Sequence, residues 1–285
     1  MKRTFKSGNV VVITGAAQGI GAATAAALIA KGARVALLDR DGDLVAERAA
    51  ELGPSAAPYV VDVTNRDALE TVFAEVAKRW GRIDGVIANA GIAGPVAAIA
   101  EADPDAVERV VEIDLLGVMR TAYAAMPYLL ESRGHVLLVA SIAAAIPCPM
   151  FAAYGAAKAG VEAYGRALRI ELARSGVTVG VAYFGLIDTG LARDDLLGTG
   201  PFASIQGRLP GVLTIAPVGA AAGALVRGVE RRSARVWAPS WVPFVLASRS
   251  VLALGDGLMS RVPALTMASA PNPQPSNKQV TEANS

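Results

Sequence analysis

Short apolar runs rich in β-branched residues alternate along the chain with longer stretches in which apolar positions recur every three or four residues. The runs read as buried strands, and the periodic stretches as helices with one packed face. The first half predicts strands at Asn9–Ile13, Arg34–Leu38, Ala57–Val61 and Ile83–Ala88, separated by helices at Ile20–Lys31, Leu44–Leu52 and Asp67–Trp80. The second half predicts helix, in one piece or two, over Asp105–Ser132, then a strand at His135–Ala140 and a helix over Phe151–Arg174. A strand at Val177–Tyr183, a helix at Val218–Arg231 and a last strand at Ala234–Trp237 complete the pattern. Strands alternating with helices imply parallel neighbours joined by crossovers, so the expected fold is α/β, with seven strands in one doubly wound parallel sheet.

Three segments depart from this rhythm. Leu186–Gly211 has scattered Gly, Asp and Pro after the sixth strand, at the carboxyl edge where open α/β sheets take ligands, and is expected to be a lid. Trp241–Met267 is expected to be an apolar extension outside the sheet, since Trp241, Phe244, Val245, Leu246, Val251, Leu252, Leu254, Leu258 and Met259 need a partner surface. Four partners stay open: the substrate mouth, a second subunit, lipid, or the chain's own domain. Arg231, Arg232, Arg235, Arg249 and Arg261 flank the apolar groups as an anionic interface would require. Residues 268–285, with Pro271, Pro273, Pro275 and mostly polar neighbours, are expected to be a disordered tail. The expected organisation is a main domain over residues 1–240, the extension over 241–267 and the tail over 268–285.

Composition supports one large domain: 285 residues, 53% hydrophobic and 18% charged, with a mean hydropathy of +0.42. A net charge of +2, with both signs spread along the chain, leaves no electrostatic footprint for nucleic acid. One cysteine, Cys148, and one histidine, His135, exclude a disulfide framework and a cysteine zinc cage, and no metal is expected. Cys148 lies between two prolines and His135 reads as a strand-end residue. Met1–Lys6 is basic, but the apolar run after it is broken by Thr14-Gly15, so it does not read as an export signal. The most apolar long stretch, Trp237–Leu254, is interrupted by Pro239, Pro243 and Arg249. The expected location is cytoplasmic, with membrane-surface contact through the extension left open.

Two constellations carry chemistry. Thr14-Gly15-Ala16-Ala17-Gln18-Gly19-Ile20-Gly21 joins the first strand to the first helix, where glycines permit a tight turn and helix N–H groups favour a pyrophosphate. The second strand ends Asp39-Arg40. Asp39 stands at the spacing of a ribose-binding carboxylate and would repel a 2′-phosphate, whereas Arg40 would attract one. NAD is favoured over NADP. In the second constellation Tyr154 and Lys158 share a helix face at i and i+4, and a nearby ammonium lowers a phenol from its usual ~10 toward values useful for proton transfer. Alone, a Tyr-x-x-x-Lys pair is most often an exposed helix face.

The glycine turn, Asp62-Val63, Asn89-Ala90-Gly91, Ser141 thirteen residues before Tyr154, and Lys158 occur together and in order. In this the chain resembles the short-chain dehydrogenase/reductase family over about Ser7–Trp237. The resemblance implies a single Rossmann domain and a homo-oligomer associated through the helices of Asp105–Ser132 and Phe151–Arg174. It implies that Ser141 bonds the substrate oxygen, Tyr154 exchanges its proton, and Lys158 holds the nicotinamide ribose while lowering the tyrosine. By the same resemblance Gly15, Gln18, Gly19, Ile20 and Gly21 cradle the cofactor. Asp62 and Val63 meet the adenine, Asn89, Ala90 and Gly91 line the site near the ribose, and Ile187 and Thr189 contact the carboxamide.

Two positions depart from the family pattern. Asp114 stands where the family has an asparagine holding a water in a proton relay to the lysine; a carboxylate lacks the amide donor and adds charge near Lys158, so the relay is expected to be altered. Phe184 replaces the proline before Gly185 and is expected to bring a ring near the nicotinamide. The expected activity is an alcohol dehydrogenase or carbonyl reductase acting on an apolar, fairly bulky alcohol or ketone, a size inferred from Phe151, Phe184, Phe202 and the C-terminal stretch. The alternative is a dinucleotide-binding sensor or scaffold without turnover.

Overall fold

The structure, a computed structural model, describes residues 6–190 and 215–261. Its centre is the continuous apolar strand β1 (Val10–Thr14), buried along its whole length between β2 (Arg34–Asp39) and β4 (Gly85–Ala88). β3 (Ala56–Val60) closes one edge. β5 (His135–Ser141), β6 (Thr178–Phe184) and the last strand, Arg235–Ala238, extend the other. All neighbours are parallel, in the order β3, β2, β1, β4, β5, β6 and then the last strand. The chain winds outward from β1 in both directions, so a crevice opens at the carboxyl ends of β1 and β4.

Each face of the sheet is covered because both faces are apolar. On one side α3 (Arg66–Trp80), α5 (Val118–Ser132) and α6 (Ala152–Glu171) bury Leu69, Phe73, Ala122, Leu129 and Val161 against alternate strand residues such as Val12, Val86 and Leu138. On the other, α1 (Gly19–Ile29), α2 (Gly42–Leu52) and α7 (Val218–Arg231) bury Leu28, Val45, Leu225 and Val229 against Ile13, Leu37 and Leu137. Each of the larger side chains contributes roughly 1.5–3 kcal/mol. Helix starts follow sequence chemistry: Asp41 accepts from Leu44 N–H and Asn65 from Ala68 N–H, both at 3.0 Å.

Tertiary structure refines three expectations. The stretch 105–132 is two helices, α4 (Pro104–Val111) and α5, joined by one π-helical turn over Glu112–Gly117. Ile187–Asp188, expected to be irregular, forms a short strand β7 that pairs in parallel with β8 (Ala216–Pro217), outside the main sheet. The sheet's last strand is therefore β9 in chain order. The extension contributes α8 (Val242–Leu252) and a short α9 (Asp256–Met259). Val242 is fully buried in the domain core and Trp241 and Leu246 pack against it, whereas Phe244, Val251, Leu254 and Leu258 are exposed. Among the described residues no helix is long and apolar enough to cross a membrane. Residues 191–211 of the expected lid, Phe202, residues 262–267 of the extension and the tail lie outside the described residues.

Candidate active site

The crevice is built from the β1–α1 turn. Gly15 and Gly19 take left-handed φ of +65° and +57°, and a Cβ on Gly21 would stand 2.1 Å from the Gly15 carbonyl oxygen. A Cβ on Gly15 would meet the Ala90 backbone at 2.8 Å. The side chain of Gln18, at the N-cap, bonds none of the first-turn N–H groups of α1. This tight cradle at a helix N-terminus fits a pyrophosphate. Asn89 clamps it from β4: its backbone N–H donates to the Thr14 hydroxyl at 3.0 Å, and its amide donates to the carbonyls of Thr14 and Gly15 at 3.0 and 3.1 Å. Ala90 N–H donates to the same hydroxyl at 3.1 Å.

The acidic residues at the strand ends are held by backbone and by arginine. Asp39 accepts from Ala17 N–H at 3.0 Å and from Asp41 N–H at 3.2 Å, which fixes its carboxylate beside the glycine turn, with Arg40 exposed next to it. Asp62 accepts from the backbone and hydroxyl of Thr64 at 2.9 and 2.8 Å and pairs with Arg109 at 2.9 Å. Burial alone would raise this carboxyl, but the Thr64 bonds and the Arg109 charge outweigh it and hold it below the usual range. Val63 is buried against Gly117. Arg109, and Arg48, whose Nε donates to the Ala17 carbonyl at 3.4 Å, are neighbours of the crevice that no sequence spacing singled out. Both depend on helices packed across the sheet.

Ser141 ends β5, and Tyr154 and Lys158 lie on the first turns of α6. The Ser141 hydroxyl donates to Phe184 O at 3.3 Å and accepts from Ala143 N–H at 3.2 Å, and Ser141 is close enough to Tyr154 to lower its hydroxyl. Lys158 Nζ lies 5.5 Å from the Tyr154 ring centre and donates to Val139 O at 3.3 Å. It also stands 3.0 Å from Asp114, which the π-helical turn carries into the interior. Asp114 is wholly buried and accepts from Ile92 N–H at 2.8 Å; a Cβ on Gly91 would crowd its carboxylate at 3.0 Å. The expected altered relay is thus a direct ion pair.

The electrostatics correct one expectation. Burial pushes the Tyr154 hydroxyl up; Lys158 opposes this, Asp114 adds to it, and the balance lies above the ordinary tyrosine value, not below it. Burial would lower Lys158, but Asp114 and Tyr154 hold it above the usual lysine value. Burial likewise raises Asp114 despite Lys158 and the Ile92 N–H.

Beside Tyr154 opens a cavity of about 250 Å³ walled by Ala93, Pro95, Ala97, Ala98, Ile99, Ala102, Val107, Val110, Pro149, Met150, Phe151, Ala152 and Ala153. Tyr154 supplies the one polar side chain among these described lining residues. Phe184 is buried with Ile13, Ile187 and Leu225 in the core on the α1 side, because β6 register points it away from α6. Ile187 is buried in β7, and Thr189 N–H donates to its carbonyl at 2.8 Å. A Cβ on Gly19 would stand 3.8 Å from the Thr189 methyl, so this segment lies beside the glycine turn. Trp241 packs on Gly185 so closely that a Cβ there would meet its ring at 2.7 Å. Cys148 is half-buried beside Gly155, and burial pushes its thiol up to about 11, which makes it unreactive near neutral pH.

A glycine cradle at a sheet crevice, with serine, tyrosine and lysine at its mouth, defines a dinucleotide-dependent oxidoreductase site. The sequence model of the short chain dehydrogenase family matches residues 9–197, and the chain belongs to that family. It is 38% identical over 185 residues to cis-4-hydroxycyclohexanecarboxylate dehydrogenase of Sinomonas cyclohexanicum, a match covering 64% of this chain and 74% of that protein. It is 36% identical over 174 residues to 2-dehydro-3-deoxy-L-rhamnonate dehydrogenase (NAD(+)) of Sphingomonas sp. (strain SKA58), covering 60% and 69%. The crystal structure of gox2181 superposes with a TM-score of 0.76 at 26% identity, covering 84% of this chain and 96% of that one. The 3-ketoacyl-(acyl-carrier-protein) reductase of Brucella melitensis, complexed with NADH, superposes at 0.74 with 24% identity over 81% and 97%, which bears on the fold alone. The chain is an oxidoreductase acting on CH–OH groups with a nicotinamide dinucleotide cofactor.

Proposed function

We propose that this enzyme interconverts a secondary alcohol and a ketone on an apolar, fairly bulky small molecule, with NAD preferred and Tyr154 as general acid and base. The observation that carries the reading is that Tyr154 is the one polar side chain among the described residues lining an otherwise apolar cavity, with Ser141 beside it. An apolar body fills such a cavity and leaves its oxygen facing the Tyr154 side.

The glycine turn, the N–H groups at the start of α1, which the Gln18 side chain does not cap, Asp39, Asp62 and Asn89 would hold the dinucleotide. The nicotinamide, when bound, supplies or accepts the hydride. Ser141 orients the substrate oxygen, Tyr154 gives or takes its proton, and the apolar wall excludes water from the reacting carbon. Lys158 holds the nicotinamide ribose. The NAD preference is supported by Asp39, whose carboxylate is fixed where a 2′-phosphate would meet it.

The rhamnonate relative is described as NAD-dependent, in agreement with that preference. Exposed Tyr123 and Leu130 on α5 and Ile170 on α6 support a homo-oligomer, and the exposed apolar residues of α8 and α9 support a peripheral contact with a neighbour or a membrane. A sensor without turnover would not need Ser141, Tyr154 and Lys158 side by side. The test is nicotinamide absorbance with a panel of apolar and polyhydroxylated alcohols and ketones, with NAD and NADP in parallel. Turnover of cyclic or branched apolar compounds with NAD is expected; turnover confined to polyols, or to NADP, overturns the reading.

A further inference from the structure

In most settings an ammonium beside a phenol favours the phenolate, and Lys158 is near enough to do so, 5.5 Å from the ring centre of Tyr154. Its charge, however, is not alone. Asp114 Oδ2 stands 3.0 Å from the same nitrogen, too close for a water between them, and both side chains are sealed from solvent. Two opposite charges in contact present a dipole, whose field at a third group falls faster with distance than that of a lone cation. Among the described residues, the groups that act on Tyr154 are Ser141 from β5, Lys158 from α6, Asp114 from the π-helical turn and Cys148 from the connection after β5. Burial, the largest influence, opposes the phenolate, and Asp114 and Cys148 add to it; Lys158 and Ser141 favour the phenolate. Asp114 is itself held by Ile92 N–H at 2.8 Å, beside Gly91.

We propose that Asp114 is a positioning residue that offsets part of the field of Lys158 at Tyr154 and so adds to burial in favouring the phenol, which sets the centre for carbonyl reduction near neutral pH and for alcohol oxidation in more alkaline solution. The inference rests on the reading of Tyr154 as the proton-transfer group. In reduction the carbonyl carbon gains the hydride that the reduced nicotinamide supplies, the C=O π bond opens, and the oxygen takes the Tyr154 proton. That leaves tyrosinate, which solvent reprotonates. Oxidation runs the same steps in reverse and must begin from tyrosinate, the form that Asp114 makes scarce.

The test is ultraviolet titration of tyrosinate in the cofactor-free protein, with Tyr154 isolated by subtracting the Tyr154→Phe curve, in the wild type and in an Asp114→Asn background. The wild-type midpoint is expected above that of free tyrosine. Asp114→Asn is expected to lower it by about one pH unit, which is roughly tenfold more tyrosinate at a fixed pH, and Asp114→Glu to restore it. The limb of the oxidation rate that rises with pH should move down with it. A midpoint that stays put or rises in Asp114→Asn, or a rate limb that does not follow it, overturns the proposal. If Asp114→Asn does not fold, the wild type still decides, because a midpoint at or below that of free tyrosine overturns it. A shifted titration in a protein that turns over no alcohol would instead refute the functional reading and leave the electrostatic role of Asp114 standing.

Discussion

Arg249 on α8 places one guanidinium nitrogen 3.1 Å from each carboxylate oxygen of Glu162, eight residues beyond Tyr154 on α6. Helix α8 is thereby tied to the helix that carries Tyr154 and Lys158. Glu162 is almost fully buried, and its other cationic neighbour, Arg166, is 3.7 Å away. Arg249→Ala leaves that carboxylate poorly paired. Because Arg249 is itself partly exposed, solvent screens part of the effect, and a loss of about 1 kcal/mol is expected. Thermal denaturation checks it: the midpoint should fall by roughly 2–4 °C, and an unchanged midpoint would show the contact to be idle.

Tyr154→Phe should lower turnover at least ~100-fold while NADH affinity stays nearly constant, because on the proposed mechanism it deletes the proton-transfer group and no cofactor hydrogen bond. Lys158→Met should lose both, and it also strands Asp114 as a buried charge without its partner. Fluorescence titration of NADH beside steady-state rates separates the two outcomes. Substantial activity in Tyr154→Phe would remove tyrosine from the mechanism.

For cofactor choice, the comparison is between wild type and Asp39→Ala. Removing the carboxylate abolishes its repulsion of a 2′-phosphate and leaves Arg40 exposed beside the site, so kcat/KM with NADP should rise. The same change frees Ala17 N–H, which Asp39 accepts from at 3.0 Å, so NAD binding should weaken. A wild type that already prefers NADP would contradict the assignment of Asp39.

His135 gives a pH dependence unconnected with catalysis. Burial, assisted by the charges of Arg232 and Arg169, pushes the ring down to about 3, against 6.5 for an ordinary histidine. The unfolded chain therefore takes up a proton that the folded one refuses. Stability from this residue is full above about pH 6.5 and is lost as pH falls toward 3, by on the order of a few kcal/mol. Urea titrations of wild type and His135→Gln between pH 7 and 4 should show a shallower acid loss in the variant. Parallel slopes would mean that the ring is protonated in the fold.

Much of this protein is decided within short windows of sequence. The apolar runs of β1, β4 and β5 form buried parallel strands because a strand covered on both faces needs no alternation, and the intervening helices follow from a period set by a few residues. The glycine turn and the Tyr154–Lys158 spacing are local in the same sense, since each depends on one turn of backbone. Other relationships belong to tertiary structure alone. Asp114 and Lys158 are 44 residues apart, and a direct ion pair between them requires the π-helical turn to point one carboxylate inward and α6 to lie one side chain's length away. Phe184 enters the core on the α1 side because pairing with β5 sets which face each residue of β6 presents, and a shift of one residue would reverse it. Trp241 meets Gly185, and Arg249 meets Glu162, only after the last strand has docked on β6. The charge state of Tyr154 follows from these distances and from burial, quantities of the packed chain that no stretch of residues encodes by itself.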